Sequence, residues 1–208
     1  NLAAGIVRLS GWQPGTALLD PMCGSGTFLI EAAMIALDFA PGLGRPFGFE
    51  KLSHFDGAAW RAMRERAKAR CRPAQALAIQ GSDKFGSVLD LARSNLEAAG
   101  LADAVTVKQV DVLESTPPDA AGIVVMNPPY GERLGDRESL AGFYPRLGDV
   151  LKNRYAGWTA YILSADPRLP NLIGLKATRR TPLYNGALEC RLFEFKLIAG
   201  TMRRRSPS

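Results

Sequence analysis

Two short motifs in this 208-residue chain have residue types and spacings that suit chemistry on a bound ligand. The first is Asp-Pro-Met-Cys-Gly-Ser-Gly-Thr at residues 20–27, and the second is Asn-Pro-Pro-Tyr at residues 127–130. Two glycines one residue apart allow a tight turn and let a ligand lie against bare main chain. An amide followed by two prolines presents hydrogen-bond acceptors on a rigid backbone. We expect a functional site where the fold brings these motifs together.

The segments around both motifs predict an α/β fold. Apolar runs predict strands over 16–20, 76–80, 105–110, 122–126, 158–163, 176–184 and 188–198. Helical patterns cover 28–39, 58–72, 85–99 and 138–153. Strands that alternate with helices form parallel, doubly wound sheets, and the hairpin signal Asn185-Gly186 reverses the last strand. We therefore predict a mostly parallel seven-stranded sheet with an antiparallel C-terminal strand.

The glycine motif lies between the first predicted strand and the first predicted helix, where open α/β sheets bind ligands. Leu29 stands where a dinucleotide-binding fingerprint has its third glycine, which disfavours a pyrophosphate. Asp20 suits a cationic, amine-bearing ligand, because it can accept hydrogen bonds or help to hold an ammonium through water. The alternative is an ordinary tight turn between a strand and a helix.

Two further acids end the second and third predicted strands. Asp83 is placed to accept both hydroxyls of a ribose, and Asp111 is placed to accept an adenine amino group. Asp83 follows Asp20 by 63 residues, against the usual ~20, and the inserted segment 40–72 accounts for the excess. Three acids closing three successive strands predict S-adenosylmethionine as the cofactor. The candidate cofactor-binding residues are Asp20, Met22, Cys23, Gly24, Gly26, Thr27, Asp83, Lys84, Asp111, Val112 and Asn127.

The candidate catalytic residues are Asn127, Pro128, Pro129 and Tyr130, directly after the fourth predicted strand. The Asn127 side-chain oxygen and the Pro128 carbonyl can accept the two hydrogens of a planar amine, and Tyr130 can stack on a base. A sulfonium is already an activated methyl donor, so catalysis needs orientation and electrostatics rather than a strong base. This predicts methyl transfer to an amino nitrogen. The alternative is a proline-rich turn without chemistry.

The two motifs together, residues 20–27 and Asn127-Pro-Pro-Tyr-Gly-Glu-Arg-Leu134, resemble the methyltransferase domain of the THUMP-associated RNA guanine-N2 methyltransferase family. Further similarities are Ala40-Pro-Gly-Leu43, Gly81-Ser-Asp83, Ala92-Arg-Ser-Asn95 and Asn185-Gly-Ala-Leu-Glu-Cys190. The resemblance implies a Rossmann-like class I methyltransferase fold and S-adenosylmethionine as cofactor. It also implies that the target is the N2 amine of a guanine in RNA, most specifically 23S ribosomal RNA or its precursor.

Several alternatives stay open. Asn-Pro-Pro-Tyr is shared with adenine-N6, cytosine-N4 and glutamine-N5 enzymes, and only the Gly-Glu-Arg-Leu extension indicates guanine N2. Adenine-N6 methylation of nucleic acid and glutamine-N5 methylation of protein are therefore alternatives. A nicotinamide-dependent oxidoreductase would have a similar sheet, although Asp20 and the missing third glycine disfavour it. The last alternative is an RNA-binding module with a vestigial cofactor pocket.

The resemblance and the ends of the chain predict the domain organisation. We expect one methyltransferase domain over 1–200, with a loop-helix insertion around 40–72 and a basic, disordered tail over 201–208. Family members carry an RNA-binding THUMP module before the catalytic domain, and this chain has no room for one. Since the chain begins at Asn1 rather than at methionine, we expect it to be part of a longer protein.

Composition limits the function classes. A hydrophobic content of 47% and a charged content of 22% are ordinary for a globular domain, and no apolar run is long enough to span a bilayer. Three distant cysteines predict no disulfide framework and a cytoplasmic setting, and a single histidine predicts no metal site. A net charge of +6 is compatible with a polyanionic partner. The basic helix 58–72 either contacts RNA phosphates or is a solvated face.

Overall fold

The structure, a computed structural model, describes residues 1–129 and 134–199, and it does not describe the side chains of residues 134–141. The strands are β1 (Ala17–Asp20), β2 (Ile79–Asp83), β3 (Thr106–Gln109), β4 (Gly122–Met126), β5 (Thr159–Ser164), β6 (Arg179–Asn185) and β7 (Leu188–Lys196). The helices are α1 (Leu2–Leu9), α2 (Thr27–Ala36), α3 (Gly57–Arg70), α4 (Gly86–Ala98), α5 (Leu134–Arg154) and α6 (Leu169–Ile173), with a 3-10 helix at Gly48–Lys51.

The seven strands form one sheet in the order β3-β2-β1-β4-β5-β7-β6. Strands β1 to β5 pair in parallel, whereas β7 is antiparallel to both β5 and β6. Parallel neighbours need crossover connections, and helices between the strands provide them. The predicted mostly parallel, seven-stranded sheet with an antiparallel C-terminal strand is therefore confirmed.

Apolar side chains are buried on both faces of the sheet. Leu18 and Val125 belong to the core on one face, together with residues of α1, α2 and α4. Leu19 and Val124 belong to the core on the other face, together with residues of α5 and α6. Successive residues of a strand point to opposite faces, so central strands covered by helices on both sides are apolar throughout.

The side of α3 that carries its apolar residues is only partly buried. The sequence places Trp60, Met63 and Ala67 along one apolar side, but no residue of α3 is buried and 53% of Met63 is exposed. Trp60 packs against Phe47, with ring centroids 5.6 Å apart, and against Phe49 at 4.9 Å. Trp60 thus packs α3 against aromatic residues of the segment 40–72, whereas Met63 stays exposed.

Other differences concern element ends. Strand β2 begins at Ile79 and includes residues 81–83, because Gly81 pairs with Asp20 of β1 and Asp83 pairs with Gln109 of β3. Helices α1 and α6 have no counterpart among the predicted helices.

Trp12 and Trp158 are buried at 5% and 1% exposure. None of the helices in the described ranges combines the length and the apolarity that crossing a bilayer requires.

Candidate functional site

The carboxyl ends of β1, β2 and β4 lie next to one another at one edge of the sheet. Leu19 of β1 is in register with Val124 of β4, and Asp20 is in register with Gly81 of β2. The chain order of the strands reverses between β1 and β4, and such switch points are where open α/β sheets bind ligands. The topology therefore brings the two sequence motifs to one crevice.

The glycine loop, residues 21–26, is tied to the end of β2. Cys23 N donates to Ser82 O at 2.9 Å, and Gly24 N donates to Asp83 Oδ2 at 3.2 Å. Gly26 N then donates to Cys23 O at 2.8 Å. Gly24 and Gly26 have φ angles of 53° and 80°, in the left-handed region that glycine adopts without strain. The loop is held in one turn, and among the described residues no atom outside the immediate neighbours lies within 4 Å of a Cβ placed on Gly24.

Helix α4 holds the same loop from a third side. Asn95 Nδ2 donates to Ser25 O at 3.0 Å, and a Cβ on Gly26 would lie 3.4 Å from Ala92 Cβ. Sequence reasoning gave these α4 residues no role in the site. The one sequence feature that involved them was Ala92-Arg-Ser-Asn95, a segment that resembles the family.

Gly81 allows α2 to pack closely on the sheet. In a dinucleotide-binding fingerprint the third glycine has this role. Leu29, which occupies that place in α2, is fully buried, and a Cβ on Gly81 would collide with its Cδ1 and lie 3.2 Å from Cys23 Sγ. The glycine that permits close contact between helix and sheet is thus on the neighbouring strand.

Asp20 is buried, at 1% exposure, and its Oδ1 accepts a hydrogen bond from Met22 N at 3.2 Å. Burial raises the pKa of Asp20 to about 8; the Met22 N–H opposes this shift and the charge of Asp83 adds to it. Burial and the charges of Asp20 and Asp83 also raise the pKa of the Cys23 thiol to about 12. Cys23 is therefore protonated at neutral pH and is a poor nucleophile.

Asp83 is half-buried and organises the backbone around it. Its Oδ1 accepts from Phe85 N at 3.1 Å while its Oδ2 accepts from Gly24 N. Carboxylate oxygens have further lone pairs, so both can still accept ligand hydroxyls. Phe85 is 57% exposed and Lys84 Nζ lies 4.8 Å from its ring centroid, which excludes a core role for Phe85.

Asp111 lies two residues beyond β3, close to the main chain of Asp83. Val110 N donates to Asp83 O at 3.1 Å, and Asp111 Oδ1 accepts from Leu113 N at 2.9 Å. Val112 is buried in the core rather than at the surface of the crevice.

The remaining loop residues lie at the same edge. Met22 is half-buried and packs against the core shared with α5 and α6. Thr27 is exposed at the first position of α2, with its hydroxyl 3.2 Å from the Ser25 hydroxyl.

The Asn-Pro-Pro motif leaves β4 at the same edge, directly after Met126. Asn127 is exposed, Pro128 is buried and Pro129 is exposed. Tyr144 of α5 donates its hydroxyl to Pro129 O at 3.5 Å, which connects the motif to the following helix. Tyr130 and residues 131–133, including the predicted base-stacking side chain, lie outside the described residues.

Within residues 1–129 and 134–199, no group of three or more His, Cys, Asp or Glu side chains could hold a metal ion. Cys23 and Cys190 are free and buried, and Cys71 is free and partly buried. The edge of the sheet at the switch point thus carries acidic side chains, a glycine loop and the Asn-Pro-Pro turn.

Comparison with known proteins agrees with this geometry. The sequence model of the family described as "RMKL-like, methyltransferase domain" matches residues 1–194. The ribosomal RNA large subunit methyltransferase K/L of Shewanella baltica (strain OS185) is 43% identical over 212 residues, covering 100% of this chain and 30% of the relative. The protein of the same name from Marinomonas sp. (strain MWYL1) is 40% identical, covering 98% and 29%. The chain spans about half or less of the length of the curated relatives it matches.

Solved structures show the same fold. SMU.472, named as a methyltransferase and complexed with S-adenosylhomocysteine, is 36% identical with a TM-score of 0.88, covering 96% of this chain and 53% of that one. A Listeria monocytogenes (strain 4b F2365) protein, described as a predicted N6-adenine-specific DNA methylase, is 35% identical with a TM-score of 0.85, covering 94% and 50%. The methyltransferase family and the Rossmann-like fold predicted from the two motifs are confirmed. The chain belongs to the RMKL-like methyltransferase domain family.

Proposed function

We propose that this chain transfers a methyl group from S-adenosylmethionine to the exocyclic N2 amine of a guanine in RNA, most specifically in large-subunit ribosomal RNA. The observation that carries the proposal is the position of Asn127-Pro-Pro129 after β4, directly beside the glycine loop after β1. The names of the Shewanella and Marinomonas relatives support ribosomal RNA as the substrate. The S-adenosylhomocysteine complex of SMU.472 supports the cofactor.

The residues at this edge fit an amino acid joined to a nucleoside. Among the described residues, the space around Gly24 is open and leaves main chain accessible, and the buried Asp20 can help to hold an ammonium group through water. The half-buried carboxylate of Asp83 can accept two vicinal hydroxyls, as a ribose requires. In this proposal Asp111, which follows the Val110 that donates to Asp83 O, accepts an amino group of the attached base. When bound, the cofactor supplies a methyl group on a positively charged sulfur.

Asn127 and Pro128 position the target amine in this proposal. The lone pair of an amine on an aromatic base is delocalised into the ring, so the amine is a weak nucleophile. Two acceptors that each take one N–H favour a pyramidal nitrogen, whose lone pair can then attack. Pro128 is buried and both prolines have restricted φ angles, so the main chain that carries the two acceptors is held in place before the substrate arrives.

No strong base is required from the protein. The proton leaves from a nitrogen that becomes cationic as the new bond forms, so water can accept it. The Cys23 thiol, with its pKa raised by burial, forms no covalent intermediate in this scheme. Most of the catalysis then comes from orientation and from the fixed acceptors.

Methyl transfer from tritiated S-adenosylmethionine tests the proposal. The purified chain is incubated with 23S ribosomal RNA, with double-stranded DNA and with a glutamine-containing protein substrate. We expect label in RNA alone, and nucleoside mass spectrometry of the product should identify N2-methylguanosine. Label confined to DNA or protein would overturn the RNA assignment.

Adenine N6 is the second candidate, and the description of the Listeria structure favours it. The same two acceptors suit the amino group of adenine and that of guanine. The preference for guanine rests on the Gly-Glu-Arg-Leu extension at 131–134. N6-methyladenosine in the digested RNA would show that adenine is the target and that the cofactor and chemistry are as proposed.

A further inference from the structure

Nearly all of the chain's net positive charge is concentrated in one segment. Residues 40–72, called the insertion here, contain eight basic and three acidic residues, a net charge of +5 against +6 for the whole chain. Three of the remaining basic residues are Arg203, Arg204 and Arg205 in the tail. The rest of the chain therefore has no excess of positive charge. A concentration of this kind marks one surface as the site of a polyanionic partner.

The insertion contains an open cleft of about 510 Å³. Arg61, Arg64 and Lys68 of α3 line the cleft together with one acid, Glu65, and apolar residues that include Phe39 and Leu43. The three cations are spaced i, i+3 and i+7, so they lie on one face of the helix. From Arg61 to Lys68 the helix rises by about 10 Å. The cleft, called the α3 cleft here, thus presents a row of positive charges.

These cations are available to a partner. Arg64 Nη2 donates to Leu43 O at 2.7 Å, which fixes the guanidinium and leaves further N–H groups. Across the described part of the chain, Arg61, Arg64 and Lys68 form no ion pair, whereas Arg70 of the same helix pairs with Asp38 at 2.9 Å. Among the residues that the structure describes, Glu65 is the one acid that lines the cleft, so the net charge of the cleft lining is positive.

Aromatic rings lie beside this basic helix. Trp60 of α3 packs edge-to-face on Phe49, which is 41% exposed, and the Arg45 guanidinium lies 4.5 Å from the Phe47 ring centroid. Basic grooves combined with exposed aromatic side chains are typical of surfaces that bind single-stranded nucleic acid, because bases stack on the rings. An acidic peptide has no bases that could stack on the aromatic rings.

We propose that the α3 cleft binds consecutive backbone phosphates of the RNA substrate. The inference rests on the proposed function, and it assigns part of the RNA affinity to the insertion. The cleft is remote from the crevice at the switch point. The glycine loop precedes α2, whereas the insertion follows the other end of that ten-residue helix, which is about 15 Å long. Arg72 N also donates to Leu37 O, just beyond the C-terminal end of α2.

Remote phosphate contacts have a defined kinetic consequence. The contacts are the same in the ground state and in the transition state, so they lower KM without changing kcat. They also release counterions, which makes the affinity depend on salt. These two properties distinguish a backbone-binding cleft from residues that act on the target amine.

The test compares two double variants of the full chain. The cleft variant is Arg61→Gln/Lys68→Gln; Arg64 is left intact because it holds Leu43. The control is Arg146→Gln/Lys176→Gln, which removes the same charge from exposed positions outside the insertion. Binding of transcribed 23S ribosomal RNA is measured over a series of KCl concentrations, alongside methyl-transfer kinetics and S-adenosylhomocysteine binding.

For the cleft variant we expect the slope of log affinity against log salt to decrease in magnitude by about 1.4 to 1.8, the value for two lost phosphate contacts. KM for RNA should rise on the order of tenfold with kcat and S-adenosylhomocysteine affinity unchanged, and the control should behave like the wild type. An unchanged salt slope in the cleft variant would overturn the inference. Binding of polyglutamate, an acidic polypeptide, is measured in the same way, and a cleft variant that loses polyglutamate binding but keeps its RNA affinity would also overturn it. A wild-type chain that neither binds nor methylates RNA would overturn the proposed function itself.

Discussion

Asn127 is the residue on which the rate of methyl transfer should depend most. Asn127→Ala removes one of the two acceptors proposed to hold the target amine and leaves the glycine loop intact. Losing one fixed transition-state hydrogen bond costs roughly 10²–10³ in rate, so we expect kcat to fall by that factor. S-adenosylhomocysteine affinity, measured by calorimetry, should change by less than about threefold, a difference below 1 kcal/mol.

The matched control for this change is Asn153→Ala, an exposed asparagine near the end of α5 that has no place in the proposed site. It should keep the wild-type rate. If Asn127→Ala retained activity within about threefold of the wild type, the proposed role of the side chain would be wrong, because so small a loss is below that of a single such hydrogen bond.

Asp20 should make cofactor binding depend on pH. Its pKa in the free chain is raised to about 8 by burial, so the carboxyl is mostly neutral at pH 7. A bound ammonium group favours the carboxylate, and binding therefore releases a proton below pH 8. We expect S-adenosylhomocysteine affinity to rise as pH increases from 6 to 8, by at most about tenfold per pH unit for one released proton. Calorimetry in buffers of different ionisation enthalpy would measure the proton release.

Asp20→Asn provides the control because it keeps the shape and removes the titration. The variant should bind more weakly and show no rise over this pH range. It should also lose one contribution to the pH dependence of folding. A carboxyl with a pKa of 3.8 when unfolded and about 8 when folded makes the free energy of unfolding fall as pH rises between those values. If S-adenosylhomocysteine affinity depended equally on pH in the wild type and in Asp20→Asn, the pH dependence could not come from Asp20.

Helix α4 fixes the glycine loop through Asn95, and this element should determine cofactor affinity without taking part in the chemistry. Asn95→Ala removes the hydrogen bond to Ser25 O. A net contribution of about 0.5–1.5 kcal/mol for such a bond predicts a roughly 2- to 10-fold weaker S-adenosylhomocysteine affinity. With saturating cofactor, kcat should stay near the wild-type value.

Ser94→Ala is the matched control, since Ser94 is exposed on the adjacent position of α4. It should leave the affinity unchanged. A fall in kcat at saturating cofactor for Asn95→Ala, with unchanged affinity, would show that α4 acts on the reaction in some other way than by holding the loop.

The elements around the site show what the sequence could and could not predict. The glycine loop, the acids at the carboxyl ends of β2 and β3 and the Asn-Pro-Pro turn all lie where predicted apolar strands end, so periodicity predicted that they share one edge of the sheet. The role of Gly81 could not be predicted, because it depends on the register of β2 against β1 and on the side chain of Leu29 across the packing interface. Strand β2 was predicted over 76–80 but lies over Ile79–Asp83, three residues further on, because glycine, serine and aspartate are poor strand formers unless neighbouring strands impose pairing.

Helices α1 and α6 were missed for local reasons. Gly5 interrupts the apolar pattern of α1 and lowers its helix propensity, yet the helix packs on α2. Helix α6 has only five residues and contains Pro170, so it has too little periodicity for prediction. The exposure of Met63 could not be predicted, because helical spacing identifies a shared face but does not show what covers that face.

At the scale of the whole molecule, we propose that the sheet carries the methyl-transfer site and that the insertion binds the RNA backbone. The switch point between β1 and β4 joins the cofactor loop to the Asn-Pro-Pro turn. The insertion, at the other end of α2, carries the positive charge. The two regions have different physical requirements, because a transition state needs fixed acceptors in a crevice, whereas a long polyanion needs spaced cations on an accessible surface.

Ligand-induced stabilisation distinguishes the remaining classes of function for the entire domain. A ligand that binds only the folded chain stabilises it by RT ln(1 + [L]/Kd), about 2.7 kcal/mol at 100 times Kd. For a domain of this size that corresponds to an increase in Tm of roughly 5–10 °C. We expect S-adenosylhomocysteine to produce this increase and NAD to produce none, because Leu29 replaces the third glycine and Asp20 disfavours a pyrophosphate at the loop. Stabilisation by NAD alone would indicate an oxidoreductase. An unchanged Tm with both ligands, together with retained RNA binding, would indicate a binding module whose pocket no longer functions.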